Sequence, residues 1–223
     1  MNSRLLLLCL IIAVSGFLSC KKNSDDLPVS YNSTFIGVTN ASADTLNVYQ
    51  NGTRLNIGST LLPSGQYTNL LVKAGTNNFQ FKKAGSPNTL IDTKITLLDT
   101  VAYTLFVAGQ SADKVFLLRD TVANDSTAKV RFVNASPDAG SLDFSIANGP
   151  VYKSRAFKSA TPFISVSPGK VVYSIYRQGI AVPLAMGTLT LTKHTSYTLF
   201  TKGLVNGTGT ALLGARILIT STN

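Results

Sequence analysis

Asn134-Ala135-Ser136-Pro137-Asp138 repeats Asn40-Ala41-Ser42-Ala43-Asp44, and Tyr197-Thr198-Leu199-Phe200 repeats Tyr103-Thr104-Leu105-Phe106, both at a spacing of 94 residues. The same spacing superposes Gly169 on Gly75, Tyr173 on Phe79, Gly179 on Gly85, Leu191 on Leu97 and Gly203 on Gly109. Two words and several turn glycines in one register imply a duplicated unit, and its length is that of a domain, not of a solenoid repeat. A small insertion at Ala139-Gly140 pairs Leu46 with Leu142, and a further residue pairs Asn51-Gly52 with Asn148-Gly149.

Within a unit, Phe35-Ile36-Gly37-Val38, Leu46-Asn47-Val48-Tyr49, Asn78-Phe79-Gln80-Phe81, Tyr103-Thr104-Leu105-Phe106-Val107 and Val115-Phe116-Leu117-Leu118 are short, partly alternating runs rich in β-branched and aromatic residues. Asn51-Gly52, Pro63-Ser64-Gly65, Ala74-Gly75 and Gly85-Ser86-Pro87-Asn88 stand between them as turn signals. The pattern predicts an all-β chain of two tandem antiparallel Ig-like β-sandwich domains, of about seven strands each. Asp120 to Thr127 is polar and without hydrophobic period, and reads as a joint. The expected boundaries are residues 33–120 for the first repeat, 121–127 for the linker and 128–223 for the second repeat.

The chain has 223 residues, 44% of them hydrophobic and 13% charged, which suffices for a sizeable core and excludes a disordered tail. At its start, Arg4 precedes the apolar run Leu5 to Val14, too short to span a bilayer, and Gly16-Phe17-Leu18-Ser19-Cys20 follows. This resembles the bacterial lipobox. It implies a lipoprotein signal peptide over residues 1–19, and over residues 20–32 an acylated Cys20 with a polar tether. Cys9 would leave with the signal, so no intrachain disulfide is expected and the fold must stand on its core. Acyl chains bury about 0.8 kcal/mol per CH₂ in a membrane, enough to hold the protein there without a spanning helix. Cys20 followed by Lys21-Lys22 and Asp25-Asp26 looks like the lipoproteins of Bacteroidota-type bacteria, and the expected location is the outer membrane, at its periplasmic face or the cell surface.

Lys129-Val130-Arg131-Phe132-Val133-Asn134-Ala135-Ser136-Pro137-Asp138, Gly169 after a Pro, and the late Tyr197-Thr198-Leu199-Phe200 resemble the domain-of-unknown-function 4397 family. The resemblance spans about residues 33 to 220, with Ala43 in place of the Pro in the first copy. It implies secreted or lipid-anchored bacterial β-sandwich modules, often in tandem, and carries no catalytic residue.

The chemical inventory is thin. Two Cys, one His, no Trp, and ten acidic residues that are all Asp leave little for metal or acid/base chemistry, so no cofactor, metal site or catalytic residue is expected. Asn40, Ser42, Asp44, Asn134, Ser136, Pro137 and Asp138 read as a structural turn, since Asn and Asp side chains bond nearby backbone N–H groups and Pro fixes φ. Calcium at Asp138 and Asp143, or at Asp44, would need six to eight oxygens, and no calcium-loop spacing is present. His194 reads as a surface loop residue, because no further His supplies a zinc set and no nucleophile elbow supplies a triad. A hydrolase using Asp138 with Asp143 is the enzymatic alternative. Asp44-Thr45-Leu46, Asp99-Thr100-Val101, Asp120-Thr121-Val122 and Asp125-Ser126-Thr127 look like the O-glycosylation sites of Bacteroidota-type periplasms.

Charge separates the repeats. Residues 33–120 hold seven Lys/Arg and five Asp, whereas residues 121–223 hold ten Lys/Arg and three Asp. The densest cluster, Lys153, Arg155 and Lys158, faces the uncharged Ile57 to Leu62 in the first copy, and positions 153 and 155 of a strand would point one way. Such an edge blocks strand pairing or meets an anionic partner, a glycan or an envelope protein. Nucleic acid is excluded by compartment and by the lack of a recognition motif. The expected function is a non-catalytic, membrane-anchored binding, scaffolding or adhesion role. The alternative is an ancillary glycan-binding lipoprotein of a polysaccharide uptake system, with Tyr173 and Tyr176 as a stacking face.

Overall fold

Ile36 and Val38 alternate with Gly37, and Val130 and Phe132 alternate with Arg131, so the first strand of each repeat sends two apolar side chains into a core of its own. The computed structural model describes residues 32–57, 64–121 and 126–222. Cys20, the signal segment and the tether up to Tyr31 lie outside the described residues, as do 58–62 of the uncharged segment set against the cationic cluster and 122–125 of the joint, with Asp125 of the Asp125-Ser126-Thr127 word.

The first repeat contains β1 (Ser33–Asn40), β2 (Leu46–Gln50), β3 (Thr53–Arg54), β4 (Tyr67–Lys73), β5 (Gly75–Lys83), β6 (Thr89–Leu97), β7 (Tyr103–Val107) and β8 (Val115–Arg119). The second contains β9 (Ala128–Val133), β10 (Leu142–Ile146), β11 (Val151–Arg155), β12 (Ile164–Val166), β13 (Gly169–Arg177), β14 (Pro183–Leu191), β15 (Thr195–Lys202) and β16 (Gly214–Thr222). The sheets run β4-β1-β7-β8 and β3-β2-β5-β6 in the first repeat, β12-β9-β15-β16 and β11-β10-β13-β14 in the second. The order is the same in both, as a duplication requires. Each repeat has eight strands among the described residues, against the seven or so expected. In the first repeat the very short β3 closes a two-residue hairpin at Asn51 (φ 49°) and Gly52 (φ 83°), the left-handed pair that such a turn demands. Pairing is antiparallel except that β1 runs parallel to β7, and β9 to β15. Those partners are far apart in sequence, so no hairpin fixes their relative direction.

The two sandwiches pack against each other. Tyr103, Leu105 and Val107 fill the first core and Tyr197 and Leu199 the second, while Phe106 and Phe200 turn the other way and meet. Their ring centroids are 5.5 Å apart, edge to face, and Phe116 stacks on Phe106 at 5.0 Å. Ala41, Val133, Ala135 and Leu218 complete this third core, and the Gly203 N–H donates to the Ala41 carbonyl at 2.9 Å. The four sheets are therefore stacked, with the β4-β1-β7-β8 and β12-β9-β15-β16 sheets inside. The Tyr-Thr-Leu-Phe word is buried on both faces, and every residue of β7 and β15 is buried.

Asp120, read from sequence as part of a polar joint, is also inside. Its side chain is 5% exposed and pairs with Arg131, 4% exposed, at 2.5 Å. Thr104 Oγ1 donates to the second Asp120 oxygen at 2.7 Å, and Arg131 Nε donates to Thr198 Oγ1 at 2.8 Å. The guanidinium also lies over the Phe163 ring, 4.6 Å from its centroid. Burial pushes the Asp120 carboxyl upward and Arg131 opposes that push.

Candidate binding face on the outer sheet of the second repeat

The duplicated Asn-Ala-Ser word holds the loop after the first strand of each repeat. Asn40 Oδ1 accepts from the Ser42 N–H at 3.0 Å, and Asn134 Oδ1 from the Ser136 N–H at 3.2 Å. Asn134 Nδ2 donates onward to the Gly140 and Arg155 carbonyls at 2.9 and 3.0 Å, and Ser136 Oγ donates to the Gly203 carbonyl. The two Asp residues diverge. Asp44 pairs with Lys83 at 2.7 Å, whereas both Asp138 oxygens accept from the Val205 N–H at 3.1 Å. Pro137 lies between these anchored residues.

The cationic cluster is split by a bulge. Leu142 stands opposite Arg155 but Phe144 opposite Tyr152, so β11 carries one residue more than β10 between these pairs, with Ser154 at φ 53°. The extra residue returns Arg155 to the face of Leu142 and leaves Lys153 on the face of Asp143. Positions 153 and 155 therefore do not point the same way, contrary to simple alternation. Lys158 lies beyond the strand at φ 68°, its Nζ 5.6 Å from the Phe157 ring centroid.

On the outer face, Asp143 becomes the centre of a small polar constellation. Its Oδ1 accepts from the Ser154 N–H at 2.8 Å and its Oδ2 from Lys153 Nζ at 3.0 Å. The Asp143 side chain is 8% exposed and that of Lys153 71%. The Ser154 N–H, released from the ladder by the bulge, is the first cause that holds the Asp143 carboxyl below its ordinary range, with Lys153 adding to it. Tyr176 stands directly opposite Asp143 on β13. Asp143, Lys153, Tyr176, Gly179, Ile180 and Ala181 line a cleft of about 340 Å³. Ile180, Val182, Met186, Val172 and Val151 are exposed on this sheet and the turn beside it.

Tyr173 takes no part in it. It lies three positions before Tyr176, and an odd spacing on a strand places the two on opposite faces. Tyr173 faces Ile146 and packs against the second core, so the expected two-tyrosine stacking face reduces to Tyr176 alone. Asp138 and Asp143 are each held by their own donors, Asp138 by the Val205 N–H and Asp143 by the Ser154 N–H and Lys153. His194 lies exposed in the β14–β15 turn at φ 57°, and its backbone N–H donates to the Thr127 carbonyl at 3.1 Å. Asp99-Thr100 occupies the matching exposed turn of the first repeat. Among the described residues no three His, Cys or Asp side chains converge.

The first repeat closes the equivalent face. Asn47 stands where Asp143 stands, and its Oδ1 accepts from Arg54 at 2.9 Å and Asn56 Nδ2 at 3.3 Å. Lys82 replaces Tyr176 opposite that position and reaches over the Tyr49 ring at 4.9 Å. Sequence reasoning missed Asp143 with Ser154 as a unit because Ser154 carries no bulge signal of the kind a glycine gives. The Asn47-to-Asp143 difference, visible in the repeat alignment, was the available clue.

No curated protein matches the sequence. Among solved structures the chain is similar to a family 41 carbohydrate-binding module from streptococcal virulence factors, described for alpha-glucan recognition, at 10% identity and a TM-score of 0.25 over 74% of this chain and 92% of that one. It is also similar to a streptococcal virulence factor described for alpha-glucan binding, at 11% identity and a TM-score of 0.27 over 77% and 92%. A leucine-rich repeat protein from Bacteroides thetaiotaomicron gives 14% identity and a TM-score of 0.17 over 86% of this chain and 27% of its own. None of these similarities assigns a ligand to this chain. The family model described as a domain of unknown function, DUF4397, matches residues 34–145 and again residues 128–215, and the chain belongs to that family as two tandem copies.

Proposed function

We propose that the protein is a non-catalytic, carbohydrate-binding lipoprotein of the bacterial outer membrane, anchored by acylated Cys20 and reading its ligand on the outer face of the β11-β10-β13-β14 sheet. The observation that carries this reading is the cleft in which the Tyr176 ring stands beside the fixed carboxylate of Asp143. An aromatic face accepts the C–H side of a sugar ring, and an oriented carboxylate accepts its hydroxyls, the division of labour usual in a site that binds by shape with few polar groups. Binding is favoured over hydrolysis because Asp143 is held by two donors and, among the described residues, no second carboxylate lines the cleft. The inner sheets, where the Tyr-Thr-Leu-Phe word recurs, are occupied with holding the body together, which leaves the outer sheets for specificity.

The test is affinity electrophoresis of the full-length protein in detergent through gels containing a panel of neutral and acidic polysaccharides, with Tyr176→Ala beside the wild type. Retardation by at least one polysaccharide, weakened about tenfold or more by the substitution as for a central aromatic anchor, is the expected result. No retardation across the panel, or equal retardation of the variant, contradicts the reading. Antibody labelling of intact and permeabilised cells, with Cys20→Ala as control, tests the anchor: the variant is expected to leave the membrane fraction.

A further inference from the structure

Arg155 and Arg177 both stand opposite Leu142, one on each side of it across β10. Opposed residues on neighbouring strands share a face, so both side chains leave the sheet on the Leu142 face, away from Asp143 and Tyr176. Their Cα atoms are two strand spacings apart, about 10 Å. The Nε of each guanidinium is buried without a hydrogen-bond partner, and among the described residues neither arginine has an acidic partner. Two buried cationic N–H groups left unanswered are costly, and they mark a place where an acceptor belongs.

The first repeat shows what that acceptor is. Lys83 is the counterpart of Arg177, 94 residues earlier, and stands opposite Leu46 as Arg177 stands opposite Leu142. It holds the Asp44 carboxylate at 2.7 Å, and Gln110 donates to the other oxygen at 2.8 Å. In the second repeat the matching Asp138 is turned onto the Val205 N–H. The cation has been kept as an arginine, the internal carboxylate has been withdrawn, and the bulge at Ser154 has added Arg155 across Leu142. Asn134 of the duplicated word anchors the new residue through its carbonyl.

We propose that Arg155 and Arg177 form a carboxylate subsite that takes the acid group of a uronic-acid unit, where the first repeat holds its own Asp44. The planar guanidinium fork matches a carboxylate with paired N–H donors. The carbohydrate part of the ligand rests on the function proposed above, whereas the carboxylate subsite is separable from it.

The experiment titrates trigalacturonate and its methyl ester into the full-length protein in detergent, following the arginine Nε–Hε resonances and the dissociation constants. The acid is expected to bind at least tenfold more tightly than the ester and to shift both Nε–Hε signals. Arg155→Gln and Arg177→Ala are each expected to reduce the acid to the affinity of the ester, and Arg177→Lys to fall between. Equal affinity for acid and ester, a preference for the acid that survives both substitutions, or no binding of either by the folded protein overturns the subsite. If acid and ester bind equally and Tyr176→Ala abolishes both, the subsite fails and the carbohydrate reading stands. If the acid alone moves the arginine signals and Tyr176→Ala changes nothing, the subsite stands and the outer-face reading fails.

Discussion

Arg131 occupies in the second repeat the position that Gly37 holds in the first, and the exchange places a buried ion pair between the repeats. Removing one partner of such a pair leaves the other charge buried, so Arg131→Ala is expected to lower unfolding free energy by about 3–5 kcal/mol in urea titrations. Asp120→Asn combined with Arg131→Met should recover much of that loss, because neither neutral replacement leaves a stranded charge. Asp143 makes a pH prediction. Its carboxyl is held below the ordinary value of about 3.9, first by the Ser154 N–H. A depressed folded-state value gives stability that is present above the ordinary value and lost as pH falls through the folded one. The melting temperature of Asp143→Asn should therefore lie below the wild type at pH 7, with the gap closing in strong acid; a gap independent of pH would show that the carboxylate is not so held. Thr100, β-branched at φ 62°, sits in the left-handed region, and Thr100→Gly should stabilise the turn by up to about 1 kcal/mol, as read by urea midpoint. At this scale part of the site was legible. The odd spacing of Tyr173 and Tyr176 already separates them, but the bulge that splits Lys153 from Arg155 hangs on one serine backbone angle that no residue type announced.

The Tyr-Thr-Leu-Phe strands show how an element states its surroundings. A strand covered on one face alternates, and one covered on both reads as a continuous apolar run. Tyr103-Thr104-Leu105-Phe106-Val107 is close to the latter, and the layer that covers its Phe is one that alternation alone does not identify. Phe106→Ala and Phe200→Ala are each expected to cost about 3–5 kcal/mol, the range for emptying a buried aromatic site. Because the two rings touch, the double variant should depart from additivity by 0.5 kcal/mol or more, a range of about 0.5–3 being usual for contacting residues. Strictly additive losses would place the rings in separate cores. The parallel pairing of β1 with β7 could not be read from the chain, since turn chemistry fixes direction only between neighbours in sequence.

For the whole molecule, duplication was legible in two words and a set of turn glycines, and so was the β-sandwich class. The face-to-face stacking was not, because it depends on Phe106, Phe116 and Phe200 meeting across repeats whose sequences carry no record of their relative placement. The stack separates two duties. Residues that recur, such as Phe106 and Phe200 or Asn40 and Asn134, hold the body, and residues that differ, such as Asn47 and Asp143 or Lys82 and Tyr176, distinguish its two outer sheets. The most direct test is a residue-by-residue ¹H–¹⁵N map of the full-length protein during titration with an oligosaccharide of whichever polysaccharide retards it. The account predicts shifts centred on Asp143, Lys153, Tyr176 and Ile180, with Asn47 and Lys82 still. Shifts centred on the outer sheet of the first repeat, or on the core between the repeats, would contradict it.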